Sequence, residues 1–287
     1  MEGLRIVCIS DTHGKHDQMI NPLPIGDILI HGGDFSSTGT EADLRSFVNW
    51  FDSQPHPLKI FIAGNHDVTL DMNYYIDRGA NRFHKRLLSS TGTNSINYAN
   101  TCMDIVKSSS STYLQDSSID IIIPNNTTSL DSTGNGNDSN SKLVCYGAPW
   151  QPEFCDWAFN LKRGKECQDK WDIIPHNTDI LITHGPPLGY GDRTATGFQC
   201  GCEDLLHTIQ SRDQPPRLHI FGHIHEARGT WYDGRTLYVN ACTCTFFYHA
   251  TNKPIVVFLP FDRSRPASIV IEEESDDTSN HQACTLI

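Results

Sequence analysis

The chain has 287 residues, with 22 basic and 34 acidic side chains and a formal net charge of −12. That balance argues against a nucleic-acid polymer as a partner, because no basic stripe is present to displace counterions from phosphates. With 38% hydrophobic residues the chain can bury a core, and none of its apolar stretches is long enough to span a membrane. The amino terminus has neither a basic start nor a cleavable end, so we expect a cytoplasmic protein whose ten cysteines stay reduced.

Three short apolar runs in the first seventy residues predict buried strands, because each is rich in Ile, Leu and Val and is bounded by glycine or a charged residue. These runs cover residues 4–10, 27–31 and 59–63. Between the second and the third, Glu41–Asp52 has apolar residues at spacings of three and four. This pattern predicts the crossover helix of a parallel strand pair.

The rest of the chain alternates predicted elements with polar segments. We expect helices at 82–88 and 201–210 and strands at 118–123, 143–146, 179–183, 218–221, 236–240 and 254–259. Residues 124–142 are almost entirely Asn, Ser, Thr, Gly and Asp, which predicts a disordered polar insertion. The expected organisation is one domain over 1–260, followed by a mostly flexible acidic tail over 261–287. The last four residues loosely fit a prenylation motif at Cys284.

Five of the predicted strands stop at residues of types that bind metal ions. In open α/β sheets the site forms outside the carboxyl ends of the strands, so we expect these side chains to meet in one place. The seven candidate ligands are Asp11, His13, Asp34, Asn65, His184, His223 and His225. A mixture of nitrogen and oxygen donors without cysteine suits manganese, iron or zinc.

The spacing of these residues indicates how two divalent ions would be held. Asp34 follows two glycines that let the backbone turn tightly, so its carboxylate is expected to bridge both ions. Asp11 and His13 are two residues apart, and an extended backbone would project both to one side. Two aspartates against two divalent ions leave a charge of about +2, which attracts a phosphate anion. Phosphoester hydrolysis by a metal-bridging hydroxide is therefore the expected reaction.

His66 follows Asn65 and is not needed to complete either ion. We expect it to donate a proton to the leaving oxygen, or to stabilise charge there as imidazolium. The neighbouring Asp67 is expected to orient its ring. The other nine histidines are expected to be structural or on the surface, with His31 the nearest of them to the site.

The motifs at the strand ends occur in an order that resembles a known superfamily. They are Asp11-x-His13, Gly33-Asp34, Gly64-Asn65-His66-Asp67, His184-Gly185 and Gly222-His223-x-His225. This set resembles the calcineurin-like metallophosphoesterase superfamily. The segments at 113–116, 146–150, 183–189 and 240–244 resemble its metallophosphoesterase-domain-containing, fetal-brain protein 239-like branch. The resemblance implies an α/β fold, a four-layer α-β-β-α sandwich of two mixed sheets.

The resemblance also implies how the ligands divide between the two ions. One ion would be held by Asp11, His13, Asp34 and His225, and the other by Asp34, Asn65, His184 and His223. Some members of this branch have glycine at the position of His223 and are expected to hold the second ion poorly. Because this chain has the histidine, the resemblance implies an active enzyme.

The activity implied is that of a phosphodiesterase on cyclic nucleotides or similar small diesters, usually with Mn²⁺. The residues by themselves support only a phosphoester substrate. Trp150, Phe154 and Trp157 offer a face for a base to stack on, although such aromatics more often anchor a core or a loop. Two alternatives stay open: a phosphomonoesterase or phosphoprotein phosphatase, which would need arginines beside the phosphate, and a non-catalytic binding scaffold on the same fold.

Overall fold

The computed structural model describes residues 2–123 and 142–271. Its strands are β1 (Gly3–Ile9), β2 (Ile28–His31), β3 (Leu58–Phe61), β4 (Thr112–Tyr113), β5 (Ser117–Ile122), β6 (Lys142–Ala148), β7 (Gln151–Pro152), β8 (Asn160–Leu161), β9 (Ile180–Thr183), β10 (Leu218–Phe221), β11 (Gly229–Tyr232), β12 (Leu237–Asn240), β13 (Ile255–Pro260) and β14 (Ser268–Ile269). Its α-helices are α1 (Glu41–Asp52), α2 (Met72–Tyr74), α3 (Ala80–Phe83), α4 (Lys85–Thr91), α5 (Ser95–Lys107), α6 (Lys165–Trp171) and α7 (Glu203–Gln210). Short 3₁₀ turns cover His16–Gln18, Val68–Leu70 and His225–Ala227, and a π-helical turn covers Tyr75–Gly79.

Two mixed six-stranded sheets form the centre of the fold. The first has the order β14-β13-β1-β2-β3-β4, and β1 to β4 run parallel. The second has the order β11-β12-β10-β9-β6-β5, and its four central strands run parallel. Antiparallel partners flank these blocks, with β13 beside β1, β11 beside β12 and β5 beside β6. Parallel neighbours end at the same edge of a sheet, so the loops that follow them lie together.

The side chains of the strands alternate between two environments, because successive residues of a strand point to opposite faces. In β1, Ile6 and Cys8 belong to the core between the two sheets, whereas Val7 and Ile9 belong to the core under α1 and α5. In β9, Leu181 belongs to a third core, under α6 and α7. The layers are therefore helix, sheet, sheet, helix, which confirms the predicted fold class.

Helix α1 has the bounds that the sequence predicts, and its start and its apolar face explain why. The hydroxyl of Thr40 accepts a hydrogen bond from the backbone N–H of Asp43 at 3.1 Å, and the N–H of Thr40 donates to the Asp43 carboxylate at 3.4 Å. This reciprocal pair is a capping box that satisfies two free donors at the helix start. The face that packs on the first sheet buries Leu44, Phe47, Val48 and Phe51.

Residues 80–107 form three helices where the sequence indicated one, over 82–88. The first break is at His84, and α5 begins after Asn94, whose side chain accepts from the N–H of Asn97 at 2.8 Å. The buried face of α5 consists of Tyr98, Ala99, Cys102, Ile105 and Val106. Because Ala99 and Cys102 add little apolar contrast to this face, its apolar period is weak in the sequence. None of the helices that the structure describes is long and apolar enough to cross a membrane.

Part of the predicted tail belongs to the folded sheet. Strand β14 pairs with β13, and Ala267 lies in the core between the sheets. The guanidinium of Arg263 contacts the buried Asp179 carboxylate at 2.6 and 2.8 Å. The expected domain end at 260 is therefore too early. The sequence did not indicate β14, because a strand of two residues is too short to show a hydrophobic period. The predicted insertion up to residue 141, the chain from residue 272 onward and Cys284 lie outside the described residues.

Candidate metal centre

The loops after five strands bring all seven candidate ligands to one end of the sandwich. Asp11 and His13 follow β1, and the others follow β2, β3, β9 and β10, in the order Asp34, Asn65, His184, then His223 and His225. An isolated bridge pairs Ser10 with Cys242 and joins the two sheets at this end. The backbone N–H of Cys244 also donates to the carbonyl of Asp11, at 3.2 Å.

Four of the seven candidate ligands have a left-handed backbone. The φ angles are 53° for Asp11, 46° for His13, 54° for Asp34 and 68° for His223. This conformation costs a non-glycine residue about 1–2 kcal/mol, so the surrounding hydrogen bonds must hold it. The extended backbone expected for Asp11 and His13 is therefore wrong: their side chains converge because the loop turns at each of them.

Asp11, His13 and His225 form the first group of donors, with ligand atoms all within 4.8 Å of one another. Nε2 of His225 lies 3.3 Å from Oδ1 of Asp11 and 3.1 Å from Nε2 of His13. The other carboxylate oxygen of Asp11 accepts from the Ser10 hydroxyl at 2.5 Å and from the Cys242 thiol at 3.3 Å. The backbone N–H of His223 is shared between both oxygens at 3.1 Å, and Oδ1 is the one that faces the two histidines.

Asp34, Asn65 and His184 form a second group that touches the first. Nε2 of His184 lies 3.4 Å from Oδ2 of Asp34 and 3.0 Å from Oδ1 of Asn65. The same Oδ2 of Asp34 lies 3.8 Å from Nε2 of His13, a member of the first group. His223 is half-buried at the edge, with its ring centroid 5.0 Å from that of His184. Asp34 is therefore the residue at which the two groups meet.

The donor chemistry of these groups fits divalent metal ions. Nδ1 of His184 donates to the carbonyl of Gly32 at 3.1 Å, and Nδ1 of His225 donates to the carbonyl of Thr245 at 3.0 Å. With Nδ1 donating in this way, Nε2 of each ring faces a carboxylate oxygen at 3.3–3.4 Å. Two acceptors so close repel each other unless a positive charge lies between them, which is a proton on Nε2 in the metal-free protein and would be the metal ion in the loaded site.

The protonation states of the cluster follow from burial and from mutual charge. Burial alone would raise the carboxyl pKa values, but the hydrogen bond from His225 and the charge of His184 hold the pKa of Asp11 and Asp34 well below the usual range. Asp34 in turn raises the pKa of His184 to about 9 against the effect of burial. Burial lowers the pKa of His13 to about 3. The carboxylates are therefore ionised and His13 is neutral, as metal ligands must be, whereas His184 holds a proton that a metal ion would displace.

His66 lies next to both groups and is fixed by its neighbours. Its backbone N–H donates to Oδ1 of Asp34 at 2.7 Å, and its Nδ1 donates to the carbonyl of Ser37 at 2.9 Å. Asp67 instead accepts from the hydroxyl and the backbone N–H of Ser36, at 2.5 and 3.0 Å. The prediction that Asp67 orients His66 is wrong, because the Asp67 carboxylate is engaged in the turn that supports the loop.

Several supports of Asp11 were missed in the sequence. A Cβ atom at Gly222 would collide with Oδ2 of Asp11 and with the Ser10 hydroxyl, so only glycine fits there. Gly222 belongs to a motif that the sequence displays, and its position before His223 is a usable signal. Cys242 is 231 residues away from Asp11 along the chain, and only the folded arrangement brings its thiol to the carboxylate.

Tyr248 and His31 complete the surroundings of the first group. The ring of Tyr248 lies 4.8 Å from that of His13 and 5.1 Å from that of His225, and nothing in the sequence indicated this. His31 is buried below the site, where its Nε2 lies 3.0 Å from the hydroxyl of Thr12. His31 is therefore near the ligand-bearing loops, as the sequence led us to expect.

Comparison with known proteins gives four findings. A family model described as calcineurin-like phosphoesterase matches residues 4–227. Metallophosphoesterase domain-containing protein 1 from Homo sapiens is 41% identical over 266 residues, which are 91% of this chain and 72% of that protein. A UPF0046 protein of Caenorhabditis elegans is 34% identical over 90% of this chain and 81% of its own length. The crystal structure of TT1561 of Thermus thermophilus aligns over 93% of this chain and 98% of its own, with a TM-score of 0.50 and 10% identity, which shows a shared fold alone.

Proposed function

The chain belongs to the calcineurin-like phosphoesterase family of metal-dependent phosphoester hydrolases, and we propose that it is a phosphodiesterase for cyclic nucleotides or similar small diesters. One observation carries the proposal. Oδ2 of Asp34 lies 3.4 Å from Nε2 of His184 and 3.8 Å from Nε2 of His13, between two groups of ligand-type side chains. Such an arrangement suits two divalent ions that share one carboxylate, with Mn²⁺ the ion that we propose.

The two sets of ligands share Asp34. One set is Asp11, His13, Asp34 and His225, and the other is Asp34, Asn65, His184 and His223. The half-buried position of His223 beside His184 supports its place in the second set. When bound, the two ions lower the pKa of a water molecule and neutralise charge on the phosphate.

The side chains of the protein then have separate tasks. Asp11 and Asp34 stay ionised, so they hold cations at neutral pH. The backbone carbonyls behind His184 and His225 keep Nε2 of each ring turned inward. Nδ1 of His66 is engaged by the carbonyl of Ser37, so Nε2 is the atom from which His66 gives a proton to the leaving oxygen.

The surroundings of the site favour a diester over a monoester. A phosphomonoester dianion carries one more charge than a diester, and arginine side chains are the usual partners for that charge. The hydrogen bonds of Asp11 and Asp34 in the described structure run to histidines, to backbone N–H groups, to Ser10 and to Cys242. Uncharged groups and imidazoles of this kind match the single charge of a diester.

Hydrolysis of two chromogenic esters tests the proposal directly. The purified protein with Mn²⁺ is expected to hydrolyse bis-p-nitrophenyl phosphate, a diester, with a higher kcat/KM than p-nitrophenyl phosphate, a monoester. A panel of 2′,3′- and 3′,5′-cyclic nucleotides then tests the natural class. A preference for the monoester would favour a phosphatase, and binding of metal without turnover of either ester would favour a non-catalytic scaffold.

The setting proposed for this activity is the cytoplasm, with a small phosphoester as the partner. The net charge of −12 supports a small substrate over a nucleic-acid polymer. Prenylation at Cys284 is a separate proposal about a residue outside the described part of the chain. The intact mass of the protein from its native cells tests it, because a prenyl group adds a fixed increment.

A further inference from the structure

The loop between β7 and β8 carries an aromatic side chain to each side of the candidate site. In residues 153–159, the ring of Trp157 stacks on the ring of His66, with centroids 4.0 Å apart and 23° between the planes. The ring of Phe154 meets the ring of His223 edge-on at 4.9 Å. One loop therefore contacts both the proposed proton donor and a proposed ligand.

This loop holds its shape at a cost. Cys155, Asp156 and Phe159 all have left-handed φ angles, at 53°, 51° and 56°. Each costs about 1–2 kcal/mol for a residue other than glycine. Contacts from the preceding helices offset that cost, since Arg78 binds the Asp156 carboxylate at 2.8 Å and the Tyr74 hydroxyl donates to the Asp156 carbonyl at 2.8 Å. Strain that the surroundings maintain in this way points to a task for the loop.

Two residues of the preceding helices, Phe83 and Arg82, also hold the indole of Trp157. The ring of Phe83 packs against it with centroids 4.6 Å apart, and the guanidinium of Arg82 lies 5.4 Å from the indole centroid. Arg82 also donates to the carbonyl of Asp156 in the same loop. The indole is therefore a fixed wall against which His66 rests, and it is only partly exposed.

The ring of His66 needs a neighbour that limits its rotation. Its bond from Nδ1 to the carbonyl of Ser37 fixes one ring atom, and the orientation of the rest of the ring is left to the side chains that pack on it. The ring of His13 meets it edge-on at 4.5 Å and limits one side. Trp157 covers a face and limits the remaining motion, so the direction of Nε2 is set. Proton transfer requires the donor to lie within about 2.6–3.2 Å of the acceptor, and a small swing of the ring would break that contact.

We propose that Trp157 is a positioning residue for His66 in the hydrolysis of a phosphodiester. This inference rests on the proposed function and on the task given there to His66. The ring contacts of Trp157 are with His66 and Phe83, and not with the proposed metal ligands. We therefore expect it to affect protonation of the leaving oxygen and not the binding of metal. Its influence should therefore grow as the leaving alcohol becomes more basic, because a basic alcohol depends more on a proton donor.

The test compares Trp157→Ala and Trp157→Phe on a series of aryl phosphodiesters whose leaving phenols differ in acidity. With Mn²⁺-loaded full-length protein, Trp157→Ala is expected to lower kcat about tenfold or more for unsubstituted phenol and much less for p-nitrophenol. Trp157→Phe keeps an aromatic face and should restore most of the loss. Metal content should equal that of the wild type in both variants.

Trp50→Ala is the matched control, because Trp50 packs on His16 at 5.1 Å as another tryptophan–histidine pair away from the donors. It should leave the dependence on leaving group unchanged. An equal loss on all esters, or a loss of metal, would show that Trp157 supports the fold or the ligands, and the proposal would be overturned. No loss on any ester would also overturn it.

Should Trp157→Ala fold poorly, Arg82→Ala is the second variant. It keeps Trp157 but removes the guanidinium that packs on the indole and binds the Asp156 carbonyl. In this variant kcat is expected to fall more for basic than for acidic leaving phenols, by a smaller factor than in Trp157→Ala. An unchanged dependence of kcat on the leaving phenol would contradict the proposal. Wild-type protein that binds Mn²⁺ and hydrolyses none of the diesters would instead remove the proposed function itself, and the positioning of His66 with it.

Discussion

Removal of the His66 side chain is expected to separate chemistry from metal binding, if its proposed task is right. Its ring lies 4.5 Å from that of His13, and neither proposed ligand set includes it. His66→Ala is therefore expected to lower kcat by about 10²–10⁴, the usual contribution of a general acid, and to leave two ions bound per chain. Steady-state kinetics together with elemental analysis of the dialysed protein measure both quantities.

Asn65→Ala is the counterpart of that variant. Oδ1 of Asn65 lies 3.0 Å from Nε2 of His184, and both belong to the proposed second ligand set. This substitution should lower metal content as well as activity, because a ligand is lost. If His66→Ala lost metal in the same way, His66 would be a ligand, and its proposed task would be wrong.

At the scale of residues, the sequence predicted which side chains meet but not how the backbone presents them. The types of Asp11 and His13 and their position behind a strand were readable, since buried strands and polar ends contrast strongly. Their left-handed φ angles were not, because bonds between loops from different strands impose them. Trp157 was noticed as an aromatic residue, but its stacking on His66 depends on a loop whose strained backbone has no sequence signature.

At the scale of elements, the end of α1 is tied to the turn after α5 by one carboxylate. Asp52 accepts from the hydroxyls of Ser109 and Ser111 at 2.7 and 2.5 Å and from the backbone N–H of Ser110 at 3.0 Å. Burial alone would raise the pKa of Asp52, but these bonds lower it below the usual value. The stabilisation is thus present above the unfolded pKa and is lost as pH falls through the folded one.

Asp52→Asn is therefore expected to lower the free energy of unfolding by about 1 kcal/mol at pH 7. The difference from the wild type should shrink at pH 3, because the contribution of the ionised carboxylate falls once the pH is below the unfolded pKa. Urea unfolding at the two pH values measures it, with the exposed Asp104 of α5 changed to Asn as the control. A difference of the same size at both pH values would contradict the tie through the ionised carboxylate.

The last strand of the first sheet gives a second test at this scale. A chain that ends at 260 lacks β14 and Arg263, and it removes the guanidinium that contacts the buried Asp179 carboxylate, leaving only the charge of Arg217 nearby. Removing one partner of such a pair is costly, so the free energy of unfolding should fall by about 3 kcal/mol. A chain that ends at 271 is the control. Equal urea midpoints for the two chains would mean that the domain ends at 260, as the sequence predicted.

The elements that the sequence predicted best are those with one clear hydrophobic pattern. The strands that became β1, β2, β9 and β10 are buried on both faces and appear as short apolar runs. Helix α5 was missed because Ala99 and Cys102 lie on its buried face, where they add little apolar contrast. Strand β14 was missed because its two residues are exposed and are held by pairing with β13.

At the scale of the whole molecule, the site exists only because the two sheets pack face to face. Asp11 and Asp34 come from the first sheet and His184 and His225 from the second, so neither sheet alone supplies both of the proposed ligand sets. Binding of metal should therefore stabilise the entire sandwich. With Mn²⁺ at 100 times its dissociation constant, the gain is about 2.7 kcal/mol for one site and about 5 kcal/mol for two, which corresponds to a rise in Tm of about 5 °C for one ion and about 10 °C for two.

A thermal scan measures that rise against the chelated protein. Asp34→Asn, which weakens the residue shared by both sets, should lose most of it. The same rise in this variant would mean that the stabilising ion binds elsewhere in the molecule.

The most direct test of two ions sharing Asp34 is a titration of metal-free protein with Mn²⁺, followed by turnover of bis-p-nitrophenyl phosphate. Turnover is expected to rise until two ions are bound per chain and then to level off, with His223→Gly needing more Mn²⁺ to reach its plateau. A plateau at one bound ion, or two bound ions without turnover, would contradict the proposed dinuclear phosphodiesterase.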